Sequence, residues 1–197
     1  MIQEPQKVQH QEHQITKSIL IIGIRFLVRR KRRITKRRRK KMKNEKVVIC
    51  SGYFDPLHIG HLEYFKKAKE LGDTLVVIVN NRKQALLKKA DEFMDEKDRL
   101  EIIFALGVVD EVLISVDEDK TVCKSLELVA QFKPLADLIF CNGGDRSFGE
   151  VPETEVCYRL GIDMRDGLGD KIRSSSDMTG LVEYDVPNAF HRQEQDD

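Results

Sequence analysis

Lys46-Val-Val-Ile-Cys-Ser-Gly-Tyr-Phe-Asp-Pro-Leu-His-Ile-Gly-His61 decides how this chain folds. The run Val47-Val-Ile-Cys50 is apolar and short, as a buried strand is. Small residues and Pro56 then break the pattern, and a helical periodicity follows from Ile59 to Leu71, with Leu62, Phe65 and Ala68 on one face. Two imidazoles, His58 and His61, stand three residues apart at the junction. Positions i and i+3 share a helix face, so both rings point the same way from a first helical turn. Gly60 between them removes a side chain and lets a ligand approach the backbone. The unpaired N–H groups of a first turn suit an anion.

The same alternation continues down the chain. Thr74-Leu-Val-Val-Ile-Val79 is apolar without interruption, the pattern of a strand covered on both faces. Residues 96–106 read as a helix with Leu100, Ile103 and Phe104 inward, 111–115 as a strand, 121–132 as a helix and 138–141 as a strand. A short helix over 154–160 and an edge strand over 162–164 complete the series. Strands alternating with helices give crossover units, so the fold class is α/β: a parallel sheet with helices on both faces. Ligands of such sheets lie beyond the carboxyl ends of the strands. That singles out 51–61, 80–90, 142–146 and 169–176, which hold small, polar or basic residues.

The length of 197 residues and a hydrophobic content of 41% suit one domain, expected over 44–180, with an extension at 1–43 and a tail at 181–197. The net charge of +1 hides a division. Residues 1–43 carry 15 Lys/Arg and 2 Asp/Glu, against 19 and 31 in the remainder, so a basic extension is joined to an acidic body. Ser18–Val28 is apolar but shorter than the roughly 20 residues of a spanning helix and is interrupted by Arg25. The dense basic run follows it, 11 basic residues of 13 over 29–41, in the reverse order of a signal peptide. Three readings fit this run: contact with nucleic acid, rest on an anionic membrane surface, or a solvated, disordered extension. Met42 just before the domain offers a second start for a complete domain. Cys50, Cys123, Cys141 and Cys157 form no Cys-x-x-Cys pair. Neither a disulfide framework nor a zinc site is expected, and a reducing, cytoplasmic setting fits.

Gly52-x-Phe54-Asp55-x-x-His58-x-Gly60-His61 resembles the signature of the cytidylyltransferase-like nucleotidyltransferases. The resemblance implies a Rossmann-like fold and transfer of a nucleoside monophosphate from ATP or CTP to a phosphorylated sugar or polyol, with release of pyrophosphate. It makes His58 and His61 the catalytic pair. Tyr53 and Phe54 would lend backbone N–H groups to the α-phosphate, beside Gly60, and Asp55 would orient the turn or sit near the metal-bound phosphates. Lys88, as a catalytic residue, and Lys89 match the lysines that approach the triphosphate, and Arg99 matches an arginine bracing the site. Gly143-Gly144-Asp145 resembles a turn of sugar-phosphate adenylyltransferases, where base or ribose lies against the backbone. Ser174, Ser175 and Ser176 resemble the second signature, whose hydroxyls hold the β- and γ-phosphates. Here the chain departs from the pattern: Arg173 stands where the family is usually apolar, and Gly169 where an arginine is frequent.

The resemblance also implies Mg²⁺ arriving with the triphosphate and a homodimer. A heptose-1-phosphate adenylyltransferase type is slightly preferred over a glycerol-3-phosphate cytidylyltransferase type. Two other readings remain. His58-Ile-Gly-His61 is also the first signature of an aminoacyl-tRNA synthetase class, although no Lys-Met-Ser-Lys-Ser-like loop accompanies it. Alternatively, the protein binds nucleic acid through 29–41 and its α/β body is a non-catalytic scaffold.

Overall fold

A computed structural model describes residues 26–28, 44–89, 91–143, 151–168 and 175–181. Strands β1 (Phe26–Val28), β2 (Lys46–Gly52), β3 (Thr74–Val79), β4 (Glu111–Ile114), β5 (Asp137–Cys141) and β6 (Asp163–Arg165) form one sheet in the order β1-β4-β3-β2-β5-β6. Strands β4, β3, β2, β5 and β6 run parallel. Helices α1 (Ile59–Lys69), α2 (Arg82–Lys88), α3 (Glu96–Ala105), α4 (Cys123–Phe132), α5 (Glu153–Leu160) and α6 (Ser175–Thr179) connect and cover them. This is the Rossmann-like α/β class. Among the described residues no helix is long and apolar enough to cross a membrane.

Alternate residues of each strand feed two cores, since successive side chains point to opposite faces. On one face Val48, Cys50, Leu75, Val77 and Val79 meet Tyr64, Phe65 and Ala68 of α1 and Leu100 and Ile103 of α3. On the other, Val47, Ile49, Val76 and Ile78 meet Leu126 and Val129 of α4 and Cys157 of α5. Burial on both sides is why these strands read as unbroken apolar runs rather than as alternating ones. Phe104, expected inward, is partly buried against the first core.

Two elements add to expectation. Residues 26–28, within the extension expected to be disordered, form β1, antiparallel to β4, with Phe26 opposite Leu113 and Val28 opposite Glu111. They cover the outer edge of β4, which would otherwise present unpaired backbone groups. Residues 82–88, read as a polar, basic segment, form α2. Gly72, just beyond α1, allows a close approach: a Cβ there would lie 2.6 Å from Val48 Cγ2 and 2.8 Å from the Lys46 carbonyl oxygen.

After the edge strand β1, the chain begins the parallel part of the sheet at its centre, with β2. It adds β3 and β4 on one side of β2, then returns to place β5 and β6 on the other. The crevice outside the carboxyl ends of β2 and β5 is therefore the topological switch point, where α/β folds bind their ligands. The histidine turn leaves β2 there, and Asn142–Gly143 leaves β5 beside it.

Candidate active site

The turn after β2 is held in a conformation that side chains rarely adopt. Phe54 sits at φ +52°, in the left-handed region, which is sparsely populated by non-glycine residues. Its ring is buried and packs edge-on against His61 at 5.0 Å and Phe65 at 5.1 Å. Gly52 makes this packing fit, because a Cβ there would lie 2.8 Å from the Phe54 ring.

Three charged side chains fasten the turn from behind. Arg99, 1% exposed, donates to the carbonyls of Tyr53 at 2.7 Å, Asn80 at 2.8 Å and Met94 at 2.9 Å, and its charge meets Glu92 at 3.3 Å. Asp55, also 1% exposed, accepts from the backbone N–H groups of Phe93 at 2.9 Å and Met94 at 2.8 Å. Lys89, 3% exposed, donates to the Asp55 carbonyl at 3.1 Å. Lys89 was expected at the triphosphate, Arg99 bracing the site, and Asp55 orienting the turn or near the metal-bound phosphates. The bonds above tie all three to the backbone of the turn and its neighbours, and Arg99 to Glu92 as well. Burial demands this, since a desolvated charge is tolerated when it is paired and hydrogen-bonded.

His58 is the N-cap residue of α1 and His61 lies in its first turn. The rings stack with centroids 3.7 Å apart and planes 18° from parallel. The backbone N–H of His58 donates to His61 Nδ1 at 3.3 Å. That bond uses the Nδ1 lone pair and leaves the proton of a neutral ring on Nε2. Burial, with a smaller contribution from the charge of His58, lowers the pKa of His61 from 6.5 to about 3. His61 is thus a neutral Nε2–H donor throughout the physiological range. The first turn of α1 holds no acidic residue, so no carboxylate competes for its N–H groups and positive dipole end.

Three further segments approach this turn or the helix that follows it. Ser175, the first residue of α6, donates its hydroxyl to the Pro56 carbonyl at 3.0 Å, a contact across 119 residues of sequence. At the end of β5, a Cβ on Gly143 would lie 3.3 Å from the ring of Tyr64, whose hydroxyl donates to the Cys141 carbonyl. Lys88, the last residue of α2, places its ammonium 4.8 Å from the centre of the Tyr53 ring. His58, Gly60, His61, Tyr53, Phe54, Lys88, Gly143 and Ser175 are accordingly gathered at one end of the sheet. Gly144, Asp145 and Ser174 lie outside the described residues, as does the side chain of Ser176. Sequence reasoning missed Glu92 and Tyr64. Glu92 gives no pattern, whereas Tyr64 was overlooked for the apolar stripe beside it.

Comparison with known proteins adds to this geometry. The family model described as cytidylyltransferase-like matches residues 49–167. The chain belongs to the cytidylyltransferase-like family. The FAD synthase of Thermococcus sibiricus is 41% identical over 102 residues, which are 51% of this chain and 64% of that protein. The FAD synthase of Thermoplasma volcanium is 35% identical over 118 residues, 60% of this chain and 78% of the relative. The bifunctional protein HldE of Geobacter metallireducens is 36% identical over 107 residues, 53% of this chain and 20% of that larger protein. The chain therefore spans less than two thirds of the first of these relatives and a fifth of the third. The matched region contains the braced turn from Gly52 to His61 described above.

Proposed function

We propose that this chain is a nucleotidyltransferase that moves an adenylyl group from ATP to a phosphate-bearing small molecule and releases pyrophosphate. The observation that carries the reading is the hydrogen bond from Ser175 to Pro56 at 3.0 Å. It puts the first residue of the late serine segment against the histidine turn. Adenylyl rather than cytidylyl transfer is favoured by relatives named FAD synthase and HldE.

An oxygen of the acceptor's phosphate attacks the α-phosphorus in line, the bond from that phosphorus to the bridging oxygen of the β-phosphate breaks, and pyrophosphate leaves with the electron pair. The acceptor is already an anion near neutral pH and needs neither a general base nor a Ser or Cys nucleophile. The protein contributes position and donors for the charge that grows on the phosphoryl oxygens. Neutral His61 donates from Nε2 without the proton loss that would end a cationic donor's role as pH rises. His58 stacks on it, and the backbone N–H groups of the α1 first turn extend the donor set. Lys88 carries positive charge to the phosphates.

Mg²⁺ is proposed to arrive with the triphosphate. Among the described residues no group of three or more His, Cys, Asp or Glu is placed to hold a metal, and both carboxylate oxygens of Asp55 already accept backbone N–H groups. The residues present do not build a metal cage, and no step above runs through the ion. The test is a pyrophosphate-release screen of ATP and CTP against phosphorylated sugars, polyols, choline phosphate and FMN. Release with ATP and one of these acceptors is expected. Release with CTP alone moves the reading to cytidylyl transfer, and no release with any pair overturns it.

A further inference from the structure

We propose that Tyr53 is a positioning residue whose ring face holds the Lys88 ammonium beside the histidine turn, ready for the phosphates. The inference rests on the phosphate-binding reading above and adds a role for the side chain of Tyr53, whose expected part was played by its backbone. The Lys88 ammonium lies 4.8 Å from the ring centre, inside the range of about 6 Å in which a cation is attracted to an aromatic face.

Neither partner is free to drift from this pairing. The Tyr53 carbonyl is held by Arg99 at 2.7 Å, and the next residue is the buried Phe54 in its left-handed conformation. On the other side, Lys88 is the last residue of α2, and Lys89 after it is tied to the Asp55 carbonyl at 3.1 Å. The end of α2 is thereby fastened to the same turn that carries Tyr53. A lysine side chain has four rotatable bonds. An aromatic face restricts them and carries no net charge of its own to cancel the ammonium's. A tyrosine that packed for structure alone would leave the anion affinity of Lys88 unaffected.

The experiment is a double-mutant cycle read by calorimetry with inorganic tripolyphosphate, which needs no acceptor and no turnover. Tyr53→Leu is expected to weaken binding about three- to five-fold, the strength of a partly exposed cation–aromatic contact. Tyr53→Phe keeps the face and should recover the affinity. In a Lys88→Gln background, Tyr53→Leu should add nothing. Proton spectra give a second reading: the Lys88 ε-methylene resonance is expected upfield in the wild type and Tyr53→Phe, and at its ordinary position in Tyr53→Leu. Equal weakening by Tyr53→Leu with and without Lys88, a Tyr53→Phe variant no better than Leu, or a wild-type chain that does not bind tripolyphosphate would each overturn the proposal. An intact cycle in a chain that turns over no triphosphate sinks the enzymatic reading and leaves this one standing. Turnover with additive mutations does the reverse.

Discussion

Helices α1 and α4 both begin just after a parallel strand, at the same edge of the sheet, and their first turns are closed by different chemistry. At α4, Asp117 is buried and accepts from the N–H groups of Lys124 at 2.7 Å and Ser125 at 3.0 Å, and from the hydroxyls of Ser115 and Ser125. Its carboxylate fills the place an anion would take and satisfies the helix donors permanently. At α1 the cap is His58, and the first turn carries no acidic residue. One helix start is finished by the chain's own anion, and the other, where His58 and His61 form a capping box, is open in the sense that it brings no negative charge of its own. Fold position alone therefore does not make a binding site. What separates the two is whether the sequence supplies the negative charge itself.

The largest effect expected from breaking this contrast is at His61. His61→Ala removes a transition-state donor and should lower kcat about a hundred- to a thousand-fold, while the melting transition shows a folded protein. Near-normal turnover in a pyrophosphate-release assay would strip His61 of its role. The matching change at the closed start is Asp117→Ala. It leaves the Lys124 and Ser125 N–H groups without their acceptor, at a cost of about 2–4 kcal/mol in denaturant unfolding. Its kcat/KM, measured well below the melting temperature, should stay near wild type. A large kcat/KM loss there would show that the two helix starts are coupled.

A third substitution converts the open start into the closed kind. His58→Asp places a carboxylate at the N-cap of α1, where it suits the N–H groups and the dipole, and is expected to stabilise the fold by about 0.5–1 kcal/mol. The same charge repels the triphosphate, so affinity for tripolyphosphate should fall steeply. Gaining stability while losing binding is the outcome that distinguishes a site left open from a helix that is merely badly capped. A variant that binds tripolyphosphate as well as wild type would contradict the comparison.

The open start was legible in the sequence because its signal is local. Two histidines, a glycine and a preceding apolar run lie within 16 residues, from Lys46 to His61. The sheet was legible for a related reason, since unbroken runs such as Thr74–Val79 are what burial on both faces requires. Helix α2 carries no apolar signature because its buried residues are Gln84 and Ala85, while Leu86 and Leu87 are each 40% exposed, so apolar periodicity points to the wrong face. The partners of the turn's charged supports were not legible for a physical reason too. Charged residues are almost always outside, whereas Asp55, Lys89 and Arg99 are each buried with partners drawn from distant parts of the chain. The bond from Ser175 to Pro56 spans 119 residues and has no local trace.

The smallest expected effect concerns pH and tests why the open start works with a neutral ring. The pKa of His61 falls from 6.5 to about 3 on folding. Between those values the unfolded chain binds a proton that the folded chain refuses, so unfolding gains as pH falls. The stability tied to a neutral His61 is complete above 6.5 and is lost progressively towards 3. Replacement by Gln, which does not titrate, removes that dependence. The stability difference between wild type and His61→Gln, measured by denaturant unfolding, should therefore shrink as pH is lowered from about 6.5 to about 4. In the folded wild type the His61 ring resonances should hold at their neutral positions from about pH 8 down to about pH 5. A His61 that titrates near its ordinary value would mean that the ring is solvated. A solvated cation would lose its charge, and with it much of its hold on phosphate, as pH rises. The open start would then depend on a proton, where the stacked and buried geometry makes it depend on position.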